Sequence, residues 1–150
     1  MRLPDVESAA FEHYIEWAYT EALVVDGTAH EGVPIMVDMY LLGDMLDDIK
    51  LRNKVLAALT SYVVLDRIQP GAQEISVFWD RTTPNSPLRK WTVDVTIMRF
   101  NRKLFQDDIA DYPAEFVQLL AVELMQQIPP TGSKAFQAKV RGYIEVEKDV

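Results

Sequence analysis

Two histidines and no cysteine limit the metal and acid–base chemistry that this sequence can support. His13 lies in a stretch with helical spacing, and His30 lies in a predicted loop between Gly27 and Gly32. The Glu-x-x-His spacing of di-iron bundles is absent, because the residue three positions before His13 is Ala10. We therefore interpret both histidines as solvated or packed side chains, and the sequence predicts no metal site.

Signatures of catalysis and of phosphate binding are incomplete. The sequence contains no Gly-x-Ser-x-Gly elbow, the turn that presents a serine nucleophile in many hydrolases. Gly132-Ser133-Lys134 lacks the glycine five positions before Gly132 that a P-loop requires. We therefore expect no catalytic residue, no cofactor and no small-molecule substrate. A small enzyme of an unrecognised kind is the alternative, which a pocket joining His13 or His30 to a carboxylate and a serine would favour.

Aspartates cluster at two points in the sequence and raise the question of a calcium site. The clusters are Asp44, Asp47 and Asp48, and Asp107, Asp108 and Asp111. Neither cluster follows the calcium-loop pattern of a central glycine and a terminal glutamate. Both lie at predicted helix boundaries, where carboxylates accept hydrogen bonds from unpaired backbone N–H groups. We interpret these aspartates as helix caps.

The charge of the chain argues against nucleic acids and anionic membranes as partners. Its 15 Lys and Arg and 23 Asp and Glu give a formal net charge of −8, whereas phosphate backbones are bound mainly by cations. The main basic cluster, Arg99, Arg102 and Lys103, lies in the last turns of a predicted helix, where cations suit the helix dipole. The alternative interpretation is that this cluster binds nucleic acid and that the chain is a nucleic-acid-associated regulator.

The N-terminus and the cysteine content indicate the cellular compartment. No apolar signal segment follows Met1-Arg2-Leu3-Pro4-Asp5, and no apolar run approaches the roughly 20 residues that span a bilayer. The absence of cysteine excludes disulfides. These features predict an intracellular protein, cytoplasmic or nuclear.

Glycine and proline divide the chain into stretches whose apolar spacing is mostly helical. The spacing predicts helices over about residues 7–20, 34–46, 49–64, 73–81, 87–105, 111–127 and 135–148, with residues 23–25 as a candidate short strand. Residues 91–97 also alternate apolar and polar side chains, as strands do. The start at Ser86-Pro87 favours a helix of about 18 residues packed between two layers. We predict a mainly α multi-helix bundle with at most one or two short strands.

The apolar faces of the predicted helices indicate which side chains form the core. The helix over 49–64 has an apolar stripe made of Leu51, Val55, Leu59 and Val63. The helix over 111–127 has an inward face made of Phe116, Leu119, Leu120 and Leu124. The helix that begins near Pro34 is apolar on both faces, which predicts that it is covered on both sides.

Three residues are candidates for binding a protein partner. Trp17 and His13 lie opposite the predicted inward face of the first helix, which consists of Phe11, Tyr14, Ile15, Ala18 and Tyr19. Tyr40 lies on the second apolar face of its helix. Aromatic side chains are over-represented at binding hot spots, which favours contact with a partner. The alternative, that another layer of the same domain covers these residues, stays open at this point.

Ser86 is a candidate for phosphorylation, because Ser86-Pro87-Leu88-Arg89 resembles a site for proline-directed kinases. A phosphate there would add negative charge at a helix start, which the helix dipole tolerates. The alternative, a helix cap followed by a proline in the first turn, is the interpretation that we prefer.

The order of several motifs resembles the BTB/POZ family. Residues 10–20, which follow Leu3-Pro4-Asp5, are similar to the family segment F-x-x-x-x-x-W-x-Y-T-G, with Glu21 in place of the final glycine. Residues 40–47, followed by Leu51-Arg52-Asn53, resemble the helix pair that closes a BTB domain.

The resemblance continues into the second half of the chain and extends over roughly residues 3–125. Residues 83–89, Val93-Asp94 and residues 112–116 are similar to the helical extension of many fungal BTB proteins. Each motif is short, and the resemblance rests on their order and spacing.

The resemblance implies the helical half of a BTB/POZ domain over residues 1–66, a helical extension packed on it over 67–128, and a partly helical C-terminal tail over 129–150. It implies a protein–protein interaction module, an adaptor or scaffold whose partner is another protein or a second copy. A cullin-type ubiquitin ligase is a further implied partner. In the family, however, the dimerisation helix and part of the cullin contact precede the Leu3-Pro4-Asp5 segment, where this chain begins.

Overall fold

The computed structural model of the protein describes residues 8–25, 29–65, 69–99, 101–130 and 132–140. Its α-helices are α1 (Ser8–Thr20), α2 (Ala29–Met45), α3 (Ile49–Leu65), α4 (Ala72–Asp80), α5 (Pro87–Met98), α6 (Arg102–Asp107), α7 (Ala114–Gln127) and α8 (Ser133–Val140). A short 3₁₀ helix, Ile109–Asp111, precedes α7. The predicted mainly α fold is confirmed, whereas the strand predicted over 23–25 is wrong, since the described residues contain no strand. Asp5, whose side chain the sequence offers as a cap for the first predicted helix, lies outside the described residues.

α2 is covered on both sides, as predicted from its two apolar faces. α1 packs on one part of its surface and α3 on another. The side chains of α2 that are no more than 1% exposed are Met36, Met39, Tyr40 and Leu42. α3 contributes the predicted stripe, and its buried residues are Leu51, Val55, Leu59 and Val63. Apolar side chains all around α2 are therefore explained by its central position.

The turn between α2 and α3 is tight because Gly43 has no side chain. A Cβ atom at Gly43 would lie 3.2 Å from Cγ of Arg52 and 3.3 Å from Cδ2 of Leu51. Asp47 has a φ of 55°, a left-handed conformation that aspartate tolerates better than most residues. Asp48 caps α3, since its Oδ1 accepts a hydrogen bond from the backbone N–H of Leu51 at 2.9 Å. The predicted cap at this helix start is confirmed.

α5 forms where the sequence signals conflict between helix and strand. Ser86 is its N-cap, with Oγ accepting a hydrogen bond from the backbone N–H of Leu88 at 3.3 Å, and Pro87 is the first helical residue. The polar positions of the alternating segment also fit a helix. The hydroxyls of Thr92 and Thr96 donate to the carbonyl oxygens of Leu88 and Thr92, at 2.8 and 2.9 Å.

α5 ends at Met98, earlier than its apolar spacing predicts. Arg99 is its C-cap, and Oδ1 of Asn101 accepts a hydrogen bond from the backbone N–H of Lys103 at 3.1 Å. An asparagine side chain that binds the N–H two residues later competes with continuation of the helix. The predicted helix over 87–105 is therefore divided into α5 and α6.

Two hydrophobic clusters meet at α5, as predicted for a helix between two layers. Leu88 belongs to a cluster that also contains Tyr40 and Phe78. Val93 belongs to a second cluster, which contains Trp79 and Phe116. Because the first cluster takes residues from α1 through α5, the helices on either side of the predicted boundary at residue 66 share one core.

Arg89 joins α4, α5 and α7, a buried role that no sequence signal predicts. Its side chain donates from Nη2 to the carbonyl oxygens of Trp79 and Thr82, each at 2.6 Å, and from Nη1 to Oε2 of Glu115 at 2.8 Å. The guanidinium carbon lies 4.9 Å from the centroid of the Trp79 ring, which adds a cation–π contact. This set of contacts balances the cost of burying the charge.

Candidate protein-interaction surface

The described residues bring together no group of three His, Asp or Glu side chains that could hold a metal ion. His13 is half-buried on α1. His30 lies in α2, which already begins at Ala29, so the loop predicted around it is wrong. One groove of about 270 Å³ lies between α2 and α4, and another of about 470 Å³ lies between α5 and α7. No histidine is among the described residues that line them.

The first aspartate cluster binds an arginine as well as capping a helix. Asp44 and Asp47 accept hydrogen bonds from Arg52, at 2.6 and 3.4 Å. The predicted capping role is wrong for the second cluster. Asp108 is the residue before the 3₁₀ helix, but its side chain accepts no hydrogen bond from the start of that helix. The residue before α7 is Pro113, which likewise makes no capping hydrogen bond with its side chain.

The basic cluster is divided between two helices. Arg99 follows α5, and its Nη2 donates to the carbonyl oxygens of Val63 and Val64 at 2.8 and 3.2 Å. This cation therefore satisfies carbonyl groups at the C-terminal end of α3. Arg102 and Lys103 are exposed at the start of α6 rather than at the end of a helix.

The orientation of α1 is opposite to the predicted one. Ala10 is 1% exposed and Trp17 is 6% exposed, so both side chains lie in the core. The indole Nε1 of Trp17 donates a hydrogen bond to Oδ2 of Asp48 at 3.2 Å. α1 carries large apolar side chains around most of its circumference, so spacing alone does not determine which face is buried. Another part of the same domain covers Trp17, which was one of the two interpretations left open.

Most of the α1 face predicted to be inward is exposed, and only Tyr14 of that face packs against the first hydrophobic cluster. Phe11, Ile15 and Tyr19 are 39%, 43% and 88% exposed, respectively. They are spaced four residues apart, so they are neighbours on the helix surface. We call these three residues the α1 ridge. Contiguous exposed apolar patches of this kind mark interaction sites more often than single exposed apolar residues do.

Carboxylates border the α1 ridge. Glu12 and Glu16 are exposed and follow directly after Phe11 and Ile15 in the sequence, which places both on the same flank of the ridge. α1 contains no Lys or Arg over Ser8–Thr20. The ridge therefore combines aromatic and aliphatic side chains with negative charge.

The remaining candidates from the sequence lie inside the molecule. Tyr40 is fully buried in the first hydrophobic cluster, so its side chain does not reach a partner in this conformation. Ser86 is 5% exposed, and its Oγ serves as the cap of α5. Phosphorylation of Ser86 stays a prediction, and it would require this helix start to open first. The α1 ridge replaces Trp17 and Tyr40 as the candidate surface.

No helix within the described ranges is both long enough and apolar enough to cross a membrane. Comparison of the chain with models of protein families, with curated proteins and with solved structures gave no match in any of the three.

Proposed function

We propose that the chain is a protein–protein interaction module of BTB/POZ type, which acts as an adaptor or scaffold and performs no catalysis. The motif order that resembles this family supports the proposal, because the motifs fall on connected helices. The segment of residues 10–20 lies on α1, and residues 40–47 with Leu51-Arg52-Asn53 cover the turn from α2 to α3.

The observation that carries the proposal is the α1 ridge. Leaving Phe11, Ile15 and Tyr19 in water forgoes the free energy of burying them, up to about 1.5–3 kcal/mol for each large apolar side chain. The same helix buries Ala10 and Trp17 against the core, so the ridge lies on a helix that is already anchored. An anchored helix with an apolar outer face can bind a partner without first paying the entropy of folding.

Charge indicates the chemistry of this partner. Glu12 and Glu16 border the ridge, and α1 offers no cation to pair with them. A segment with apolar side chains flanked by Lys or Arg complements such a surface. A second copy of this chain is a poor occupant, because antiparallel α1 helices would bring the same glutamates close together.

Site-specific photo-cross-linking tests the proposal. A photoreactive residue at Tyr19, the most exposed member of the ridge, is expected to capture a protein from native extract, and Ile15→Glu is expected to abolish the capture. The same group at Lys90, an exposed position on α5, is the matched control. A protein captured through Tyr19 should then bind the purified chain directly, and lose most of its affinity when its Lys or Arg residues near the cross-link are replaced by Glu.

Two outcomes would contradict the proposal. One is equal capture from Tyr19 and Lys90, which indicates a non-specific apolar contact. The other is capture that Ile15→Glu leaves unchanged, which excludes the ridge as the binding surface. Direct titration with the N-terminal domain of a cullin tests the ligase-adaptor form of the proposal separately.

A further inference from the structure

We propose that two copies of this chain associate through α7. The solvent side of this helix carries Leu119, Val122 and Met125, and Ile128 follows at its end; we call these four residues the α7 patch. Their side chains are 39%, 53%, 73% and 64% exposed. Leu119, Val122 and Met125 are three residues apart, so successive members are neighbours on the helix surface, and Ile128 follows as the C-cap of α7. The inference goes beyond the proposed function, since it involves a different helix and a different partner.

The α7 patch offers the amount of apolar surface that a dimer interface uses. Its four side chains expose on the order of 400 Å². A standard interface covers about 800 Å² on each partner, of which about 65% is apolar in homodimers. The patch thus supplies most of the apolar surface that one copy contributes. Gln118 and Gln126, which are exposed on the same side of α7, can form part of the polar rim.

The patch lies in a stretch with few charges. Between Phe116 and Pro130 the only charged residue is Glu123, in a chain of which 25% is charged. Glu123 is half-buried and lines the groove between α5 and α7, where it borders the patch residue Leu119. Glu115, at the start of α7, is already paired with Arg89. Depletion of charge is the compositional mark of interface cores.

A second copy is the partner that complements this surface. In a two-fold arrangement with antiparallel α7 helices, Val122 and Met125 lie near the axis, and apolar side chains meet the same apolar side chains. No pair of like charges is brought together at the centre. The α1 ridge differs in this respect, because its glutamates oppose self-association.

Sedimentation equilibrium of the full chain tests the inference. We expect a dimer, and we expect Val122→Glu to raise its Kd at least about tenfold, because a carboxylate would be buried near the axis. Val77→Glu is the matched control, since it makes the same substitution on α4 at a side chain of similar exposure, 47% against 53%. Thermal melting followed by circular dichroism verifies that both variants fold. A monomeric wild-type chain at concentrations on the order of 100 µM, or a dimer that Val77→Glu weakens as much as Val122→Glu does, would overturn the inference.

The absence of cysteine from the chain allows a second, geometric test. Met125→Cys is expected to form an intermolecular disulfide on mild oxidation, because near the axis two Cα atoms come within the roughly 7 Å that a disulfide requires. Ser61→Cys, at an exposed position on α3, is expected to remain largely monomeric. Equal rates of cross-linking at the two positions would contradict the α7 interface.

Loss of the dimer in Val122→Glu should leave the photo-cross-linking of Tyr19 intact, so the two proposals can fail separately.

Discussion

Asp48 connects three helices, and its carboxylate accepts two hydrogen bonds, one of them from the indole of Trp17. Oδ2 lies 3.2 Å from Nε1 of Trp17 on α1, and Oδ1 lies 2.9 Å from the backbone N of Leu51 in α3. The same residue also ends the turn from α2, since its backbone N–H donates to the carbonyl oxygen of Gly43 at 2.8 Å. This carboxylate thus fixes the face of α1 that points inward, and with it the exposure of the α1 ridge.

Asp48→Ala should lower the free energy of unfolding by about 1–3 kcal/mol, because it removes a helix cap and leaves a largely buried indole N–H without its acceptor. Asp48→Asn should cost about half as much, since the asparagine oxygen can still cap α3. Urea denaturation measures both values. Asp47→Asn is the control, because the Asp47 side chain is 89% exposed and asparagine tolerates its positive φ. Equal stability of Asp48→Ala and this control would show that neither hydrogen bond contributes.

Arg89→Ala should destabilise the fold by about 2–4 kcal/mol, because it leaves the carbonyl groups of Trp79 and Thr82 without the charged donor that binds them. Arg89→Lys should recover only part of this loss, since an ammonium cannot donate in the fork geometry of a guanidinium. Lys90→Ala, at the exposed neighbouring position, should change stability by less than about 0.5 kcal/mol. Thermal unfolding compares the three variants, and a similar midpoint for Arg89→Ala and Lys90→Ala would refute this role.

Gly43→Ala should be destabilising by about 1 kcal/mol, although alanine is the better helix former. The new Cβ would come within 3.3 Å of Leu51, which is fully buried and has little room to move. Gly132→Ala is the matched control, since no atom lies within 4 Å of the Cβ position there. Chemical denaturation of both variants checks the prediction, which a stabilised Gly43→Ala would reverse.

Tyr112 should make stability depend on pH in the alkaline range. Burial raises the pKa of its phenol above the ordinary value of 10.0, and the charges of Asp108 and Glu74 add to the effect. The unfolded chain therefore loses this proton at a lower pH than the folded chain does. The contribution of the Tyr112 proton to the free energy of unfolding is complete below pH 10 and is lost as the pH rises further. Tyr112→Phe keeps the ring that stacks on Phe105 and Phe116. The stability of the wild type relative to Tyr112→Phe should fall above pH 10, and a constant difference from pH 8 to 11 would disprove the linkage.

Local physical chemistry determined the helical elements of this protein. The Ser86-Pro87 start of α5, the Asp48 cap of α3 and the apolar stripe that contains Leu51 and Leu59 all follow from interactions within a few residues along the chain. Such interactions depend on the sequence alone, so they could be predicted. The break after Met98 was also local. As a signal in the sequence, however, the single cap at Asn101 is weaker than the apolar spacing, which predicted one continuous helix.

Only the tertiary structure decided which apolar faces are buried. α1 has apolar side chains on both sides, and the position of Asp48 and of α2 selects Trp17 over Phe11 and Ile15. The burial of Arg89 depends in the same way on carbonyl groups and a carboxylate from two other helices. Burial is a property of what lies opposite a side chain, and neighbours from distant parts of the chain leave no periodic signal in the sequence. The surfaces proposed for binding, on α1 and α7, could therefore be identified only after the helices were packed.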